Sequence, residues 1–333
     1  MSRGEAAAEA IRRVGVVGAG TMGHGIAQVA LRAGCEVLLY DLSPDALAQA
    51  RERIRSGLER AAARESGTRD QRPPAHEILE RLRTVVALGD LAPVDFVIEA
   101  APESLEVKSA LLGDLNAYVA PSVILATNTS SISITRLGAV SGRPERVIGM
   151  HFFNPAPRMP LVEVVRGLDT AEEVTETVVA LACRWGKTPV EARDFSGFIS
   201  NRILMPMINE AIFALQEGVG TAEAIDQVMK LGMNHPMGPL ELADFIGLDV
   251  CLAILEVLQR DFGDLVPTTS HLKGPYNMAY DLYPYDTMQR KLALLEQAAR
   301  EEWLVIYDHE PGPPVGTVRP DGRGGFTPLA YGV

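Results

Sequence analysis

Little in these 333 residues points away from an ordinary aqueous protein. Cysteine is scarce. Cys35, Cys183 and Cys251 are far apart and odd in number, which gives neither a disulfide framework nor a metal-ligand spacing and suits a reducing cytosol. Basic charge is in deficit, with 31 Lys and Arg against 43 Asp and Glu for a net −12. That balance excludes a general nucleic-acid binder, which needs a basic face, but not a local cationic pocket for a phosphorylated ligand. No stretch approaches the ~20 apolar residues of a membrane helix. The opening MSRGEAAAEAIRR lacks the apolar h-region of a secretory signal. The expected location is the cytoplasm, with no membrane partner.

The composition, 47% hydrophobic and 22% charged, supplies a sizeable core without a disulfide or metal staple. The length suggests two domains. Residues 13–17 (RVGVV) read as a buried strand, 18–23 as a glycine turn, 26–31 as a helix and 36–40 (EVLLY) as a second strand. Residues 44–64 read as a helix and 65–76 as a loop. Apolar β-rich runs recur at 84–88, 94–98, 123–126 and 146–150, several of them separated by helical patterns. Such alternation implies a parallel sheet covered on both faces. Past about Asp194 helical periodicity takes over, at 198–217, 221–231 and 238–258, with Met205, Met207 and Ile208 as a core stripe. The expected division is an α/β dinucleotide-binding domain of the Rossmann type over 1–193, an all-α domain over 194–263 and an atypical tail over 264–333. The Pro/Gly-rich stretch from 311 onward is expected to be irregular and mobile.

Gly18-Ala19-Gly20-Thr21-Met22-Gly23 is G-x-G-x-x-G, weak alone but strong between a buried strand and a helix. Gly18 permits the tight turn, Gly20 lets backbone approach a pyrophosphate, and Gly23 lets helix pack on sheet. The helix N-terminus then offers N–H groups and partial positive charge to phosphates. Asp41 closes the next strand 18 residues after Gly23. A carboxylate there accepts from ribose hydroxyls and repels a 2′-phosphate, which predicts NAD over NADP.

Two further strand ends carry polar groups. Thr127-Asn128-Thr129-Ser130-Ser131 follows the run 123–126, and His151-Phe152-Phe153-Asn154-Pro155 follows 146–150. Ligands of open α/β sheets bind outside such carboxyl ends. Glu163 stands among four aliphatics in Leu161-Val162-Glu163-Val164-Val165. A carboxylate there needs a partner, and a histidine would supply one, fixing its own tautomer as a general base requires.

GVVGAGTMGHGIAQ, VIEAAPESLEVK, ATNTSS, GMHFFNPAPRMPLVEVV, GFISNR and KLGMNHPMGPLELADFIGLD, in this order, closely resemble the 3-hydroxyacyl-CoA dehydrogenase family, in particular its bacterial 3-hydroxybutyryl-CoA branch. The resemblance runs from about Arg13 to Gly263. It implies NAD-dependent interconversion of an L-3-hydroxyacyl-CoA and its 3-oxoacyl-CoA, chemistry used in fatty-acid β-oxidation, butyrate or polyester metabolism and aromatic catabolism. It implies His151 as general acid/base, Glu163 as its partner, Ser130 on the substrate 3-oxygen and Asn201 in substrate orientation. For NAD it implies Asp41, Glu103, Lys108 and Asn128 besides the glycine turn, and it implies a homodimer. Ser131 and His235 are expected to be structural. Of Arg51, Arg53, Arg55, Arg60 and Arg64, most are expected on a solvated face, with the coenzyme A phosphates as the other reading.

The resemblance stops after Gly263. Residues 264–333 instead resemble the C-terminal part of metallo-β-lactamase-fold hydrolases, where Asp264 and His309 would match two late metal ligands. The H-x-H-x-D-H motif is absent, and zinc sites need at least three protein ligands, so no metal is expected. A catalytically impaired or non-catalytic NAD/CoA-binding protein of the same fold, owing to the replaced C-terminus, is the alternative to an active enzyme.

Overall fold

The computed structural model describes residues 2–65 and 73–262, with the short segments 295–296, 299–300, 305–306, 315–320 and 326–330. The chain divides into two compact units, Met1–Phe198 and Ile199–Val333.

The first unit runs α1 (Arg3–Ala10), β1 (Arg13–Val17), α2 (Thr21–Arg32), β2 (Glu36–Tyr40), α3 (Pro44–Glu65), α4 (Ala75–Glu80), β3 (Leu82–Val85), β4 (Phe96–Glu99), α5 (Leu105–Tyr118), β5 (Ile124–Thr127), α6 (Ile134–Ser141), β6 (Val147–Phe152), β7 (Leu161–Arg166), α7 (Glu172–Arg184) and β8 (Thr188–Arg193). The strands form one sheet in the order β3-β2-β1-β4-β5-β6-β7-β8. The order reverses beside β1, the place where an open α/β sheet leaves a crevice at its carboxyl edge. β1, β2, β4, β5 and β6 are almost wholly buried because both faces of the sheet are covered, which is why they read as continuous apolar runs. One face packs on α1, α2, α3 and α7 through Ile26, Leu31, Ile54 and Leu181. The other packs on α5 and α6 through Leu112, Leu115 and Leu137.

The all-parallel expectation fails at one edge. β6 and β7 are antiparallel, and β8 runs parallel to β7. Eight residues, 153–160, join β6 to β7, fewer than the dozen or so a parallel crossover requires. This reversal sets His151 directly across from Glu163.

In the second unit, α8 (Ser200–Gln216), α10 (Pro239–Ile246) and α11 (Leu248–Phe262) pack Met205, Ile208, Ala243, Leu255 and Leu258 into one core, to which the short α9 (Ala222–Gln227) adds no buried side chain. Met207 of the expected stripe is only half-buried. The single helix expected over 238–258 is two, because Gly247 takes φ +102°, a left-handed value that ends α10. α9 continues into one π turn, Val228–Gly232.

Within the tail, Leu295–Glu296 and Ala299–Arg300 are helical. Strands β9 (Val305–Ile306), β10 (Val315–Pro320) and β11 (Phe326–Ala330) form an antiparallel three-stranded sheet. The expectation of irregular chain after 311 is therefore corrected over those two later strands. Pro320 closes β10 and Pro328 lies in the terminal strand β11, positions where a missing N–H is tolerated.

Phe96 lies at the centre of the sheet, fully buried and edge-on to Trp185 at 6.5 Å. Phe96→Ala is expected to cost about 3–5 kcal/mol, measured by urea unfolding; a loss under about 1 kcal/mol would show that the core collapses to fill the space.

Candidate active site

The glycine turn connects β1 to α2. Gly18 takes φ +101°, and a Cβ there would stand 2.6 Å from the Ala100 carbonyl oxygen. A Cβ at Gly23 would stand 1.8 Å from the Gly18 carbonyl oxygen, so this glycine is required by the turn itself rather than by helix-on-sheet packing. Gly20 caps α2 with no side-chain bond, and nothing lies within 4 Å of where its Cβ would be. A tight turn, an open approach over Gly20 and a 12-residue helix beginning at Thr21 and Met22 together fit a dinucleotide pyrophosphate. Asp41, just past β2, accepts from Ala19 N–H at 2.8 Å and Ser43 N–H at 2.9 Å, which ties the acidic group to the turn. His24 Nδ1 lies 2.8 Å from the Gly20 carbonyl, and burial moves the imidazole below its ordinary value.

At the end of β6, His151 Nδ1 lies 2.8 Å from Glu163 Oε2, with the residues 8% and 2% exposed. The Phe153 ring stands 4.7 Å and the Phe198 ring 6.0 Å from the imidazole. Phe198 holds φ +49°, a strained value for a bulky side chain, and such strain gathers at functional sites. With Glu163 facing Nδ1, the nitrogen that remains for chemistry is Nε2.

Between these features lies the turn after β5. Asn128 Oδ1 accepts from Phe152 N–H at 2.9 Å, and Asn128 N–H donates to the Glu99 carbonyl at 2.7 Å, so the turn is sewn to the strands on both sides. Glu103 Oε1 accepts from Thr129 Oγ1 at 2.6 Å, Ser130 N–H at 2.8 Å, Ser130 Oγ at 3.2 Å, Ser131 Oγ at 3.1 Å and Ser131 N–H at 3.2 Å. Burial alone would raise the Glu103 carboxyl. The Lys108 charge and the donors from Thr129, Ser130 and Ser131 outweigh it and hold the group below the ordinary carboxylate range.

Lys108 lies deeper than a ligand-binding lysine is expected to. It is 1% exposed, and its Nζ donates to Glu99 Oε1 at 2.8 Å, Glu99 Oε2 at 3.0 Å and the Ala101 carbonyl at 3.1 Å, with Glu103 Oε2 at 3.5 Å. Asn201 is buried in the first turn of α8, in the second unit. Asp264 and His309 fall outside the described residues. Among the described residues no three His, Cys, Asp or Glu side chains could hold a metal ion, and no helix is long and apolar enough to cross a membrane.

Sequence reasoning passed over Glu99, Lys187 and Phe198. Glu99 stands in Val97-Ile98-Glu99-Ala100, a carboxylate ending an apolar strand, the same signal that singled out Glu163. Lys187 donates to the Ala156 and Met159 carbonyls at 2.6 and 2.7 Å, holding the loop that follows His151, and burial lowers its ammonium. Nothing local in the sequence announces that role.

Residues 13–195 match the NAD-binding domain of 3-hydroxyacyl-CoA dehydrogenase, and residues 197–291 match its C-terminal domain. The chain belongs to the 3-hydroxyacyl-CoA dehydrogenase family. A 3-hydroxybutyryl-CoA dehydrogenase of Bradyrhizobium diazoefficiens is 50% identical over 257 residues, 77% of this chain and 87% of that one. A 3-hydroxyadipyl-CoA dehydrogenase of Escherichia coli is 48% identical over 73% of this chain and 51% of its own length. The crystal structure of (S)-3-hydroxybutyryl-CoA dehydrogenase from Ralstonia eutropha superposes with a TM-score of 0.74 at 44% identity, covering 86% of this chain and 94% of that one. The family match continues past Gly263 to residue 291, so the family segment is longer than its motifs suggested. A likeness of the tail to metallo-β-lactamase-fold hydrolases is not shown.

A carboxyl held low in the fold adds stability that is complete above its unfolded value, about 4.3, and is lost as pH falls through the folded value. The stability difference between this chain and Glu103→Gln is therefore expected to stay constant from about pH 7 to pH 5 and to shrink below about pH 4. Chemical unfolding at a series of pH values reads it, and a difference unchanged down to about pH 3 would contradict the Glu103 account.

Proposed function

We propose that the chain is an NAD-dependent L-3-hydroxyacyl-CoA dehydrogenase acting on short acyl chains, interconverting a (3S)-3-hydroxyacyl-CoA and its 3-oxoacyl-CoA. The carrying observation is the buried His151–Glu163 pair, 2.8 Å apart, on the same carboxyl edge of the sheet as the glycine turn. The relatives' names support the short-chain substrate, and the 3-hydroxyadipyl-CoA relative adds a dicarboxylic acyl group of similar reach.

His151 Nε2 takes the proton of the substrate 3-hydroxyl, and Glu163 stabilises the imidazolium that results. In the reverse direction the same nitrogen returns the proton to the forming alkoxide. Bound NAD would supply the acceptor for the hydride that leaves C3. Ser130 orients the 3-oxygen so that the reacting atoms start close. Gly18, Gly20, Thr21, Met22 and Gly23 carry the pyrophosphate, Asp41 the adenosine ribose, and Glu103 and Asn128 the other end of the cofactor. Lys108 acts from behind Glu103 rather than by touching the cofactor, in keeping with its burial. A non-catalytic binding protein is not favoured, because a bystander has no need of a histidine held by a buried carboxylate.

We further read the protein as a cytoplasmic homodimer. Three free cysteines suit a reducing compartment. Val219, Leu231, Met233, Phe245 and Leu248 of the second unit are exposed apolar side chains of the kind a subunit interface covers. No metal role is given to the tail, since Asp264 and His309 are one ligand short of the least a zinc site needs.

The test is NADH-linked turnover of acetoacetyl-CoA, with a panel of longer 3-oxoacyl-CoA substrates. His151→Gln is expected to lower kcat by about 10²–10⁴-fold while leaving NAD binding nearly unchanged. Turnover surviving within a few-fold would remove His151 from the mechanism. Asp41→Ala is expected to weaken NAD binding and relax discrimination against NADP, because the repelling carboxylate is gone. Equal use of NADH and NADPH by the unmodified chain would contradict the role given to Asp41.

A further inference from the structure

Glu99 has no part in the reaction described above, yet few groups in the protein are so fully enclosed. It is 0% exposed, and each carboxylate oxygen has two donors. Oε1 accepts from Ala101 N–H at 2.6 Å and Lys108 Nζ at 2.8 Å, and Oε2 from Thr127 Oγ1 at 2.6 Å and Lys108 Nζ at 3.0 Å. The Ala101 N–H and the Lys108 ammonium can only donate, so the surroundings suit an acceptor-only carboxylate. Lys108 stands between it and Glu103 Oε2, 3.5 Å away. The cluster is thus two carboxylates and one ammonium, with only Glu103, its side chain 39% exposed, reaching the surface.

A buried ion pair is poor value for stability, since apolar residues of similar size often serve as well or better. A pair placed beneath the Thr129–Ser131 turn therefore asks for another reason. Its charge count supplies one. Lys108 alone behind Glu103 would cancel the Glu103 charge. With Glu99 present, the one lysine is shared between two carboxylates, and the cluster keeps one net negative charge, which comes to the surface at Glu103.

We propose that Glu99 is a positioning residue that holds Lys108 and offsets its charge, so that the cluster presents a net negative charge, through Glu103, to the nicotinamide end of the cofactor and favours its oxidised, cationic form over the reduced, neutral one. This rests on the dehydrogenase reading above. On that reading the ring meets the carbon whose oxygen Ser130 holds, and Ser130 in turn hangs on Glu103 through its N–H and its hydroxyl. The cation of the oxidised ring and the Glu103 charge then share one end of the crevice. The bias acts on binding, and through it on the equilibrium between bound redox states.

The test compares dissociation constants, with NADH titrated by its fluorescence and NAD⁺ by competition against NADH. Glu99→Gln keeps the shape and leaves Lys108 unneutralised. It is expected to raise the ratio Kd(NAD⁺)/Kd(NADH) about three- to tenfold, the order of one charge acting across a partly solvated site. Glu103→Gln should shift the ratio the same way. Thr127→Val removes a hydrogen bond to Glu99 without changing charge, so it should move both constants together and leave the ratio within about twofold. A purely structural role for Glu99 predicts that pattern for all three variants. A folded Glu99→Gln with the ratio unmoved overturns the inference, as does a Thr127→Val that shifts the ratio like the charge variants. If Glu99→Gln does not fold, an unmoved ratio in Glu103→Gln overturns it instead. Failure of the unmodified chain to bind either redox form would overturn the dehydrogenase reading and this inference with it. Binding of both forms with an unresponsive ratio overturns this inference alone.

Discussion

A carboxylate taken out of water must be met by donors, or it costs several kcal/mol or gives up its charge. The carboxyl edge of this sheet is organised around that constraint. Glu163 is met by His151 across the β6–β7 ladder. Glu99 is met by Lys108, Thr127 and the Ala101 N–H. The donors come from different elements, so satisfying each carboxylate fixes the relative places of β4, α5 and β5 in one case and of β6 and β7 in the other. The half-exposed Glu103 then inherits a fixed neighbour in Lys108 and gathers the Thr129–Ser131 turn onto one oxygen. The polar side chains of the site are held by buried charge, and the buried charge is tolerable because the strands deliver partners to it.

The antiparallel step at β6–β7 belongs to the same design. In a parallel ladder the residue facing His151 would come from a strand reached by a long crossover. The reversal allows eight residues to bring Glu163 into register with it. Those eight residues need their own support. Lys187 holds two of their carbonyls from the start of β8, and Gly25 leaves room for Pro157, where a methyl group would come within 3.2 Å. The loop after His151 is therefore braced from just before β8 on one side and from the helix after the glycine turn on the other.

What could be read in advance was what is local in the chain. Gly18, Gly20, Gly23 and Asp41 lie within one strand-turn-helix-strand unit, whose backbone demands show directly as residue types. The His151–Glu163 pairing was legible because a charged residue among aliphatics asks for a partner. Glu99 carries the same signal more faintly, because it ends its strand, where a polar residue looks like ordinary punctuation. Lys187 was opaque: its partners are backbone carbonyls some thirty residues upstream, and a carbonyl has no residue type to signal it. The direction of β7 was missed because alternating strands and helices are a rule about crossovers, and a short connection escapes it. The break at Gly247 was hidden because the apolar period runs through it unchanged.

The tail shows the limit of motif reading most clearly. Family motifs end near Gly263, but the family match runs to 291. A motif survives where chemistry or tight backbone geometry dictates residue type, whereas a helix that only covers a core needs no more than an apolar stripe of suitable period. Loss of recognisable words past Gly263 therefore says little about loss of fold. The Pro/Gly-rich end makes the complementary point. Val315, Thr317, Phe326, Thr327 and Leu329 have strand-forming side chains, and the antiparallel pair of β10 and β11 keeps its prolines at a strand end and in a terminal strand. Counting breakers over the whole stretch hid the alternation between them. Where the breakers fall decides whether such a segment pairs, and here Gly316 and Pro320 stand at the two ends of the paired register while Pro328 lies in the strand at the sheet's edge.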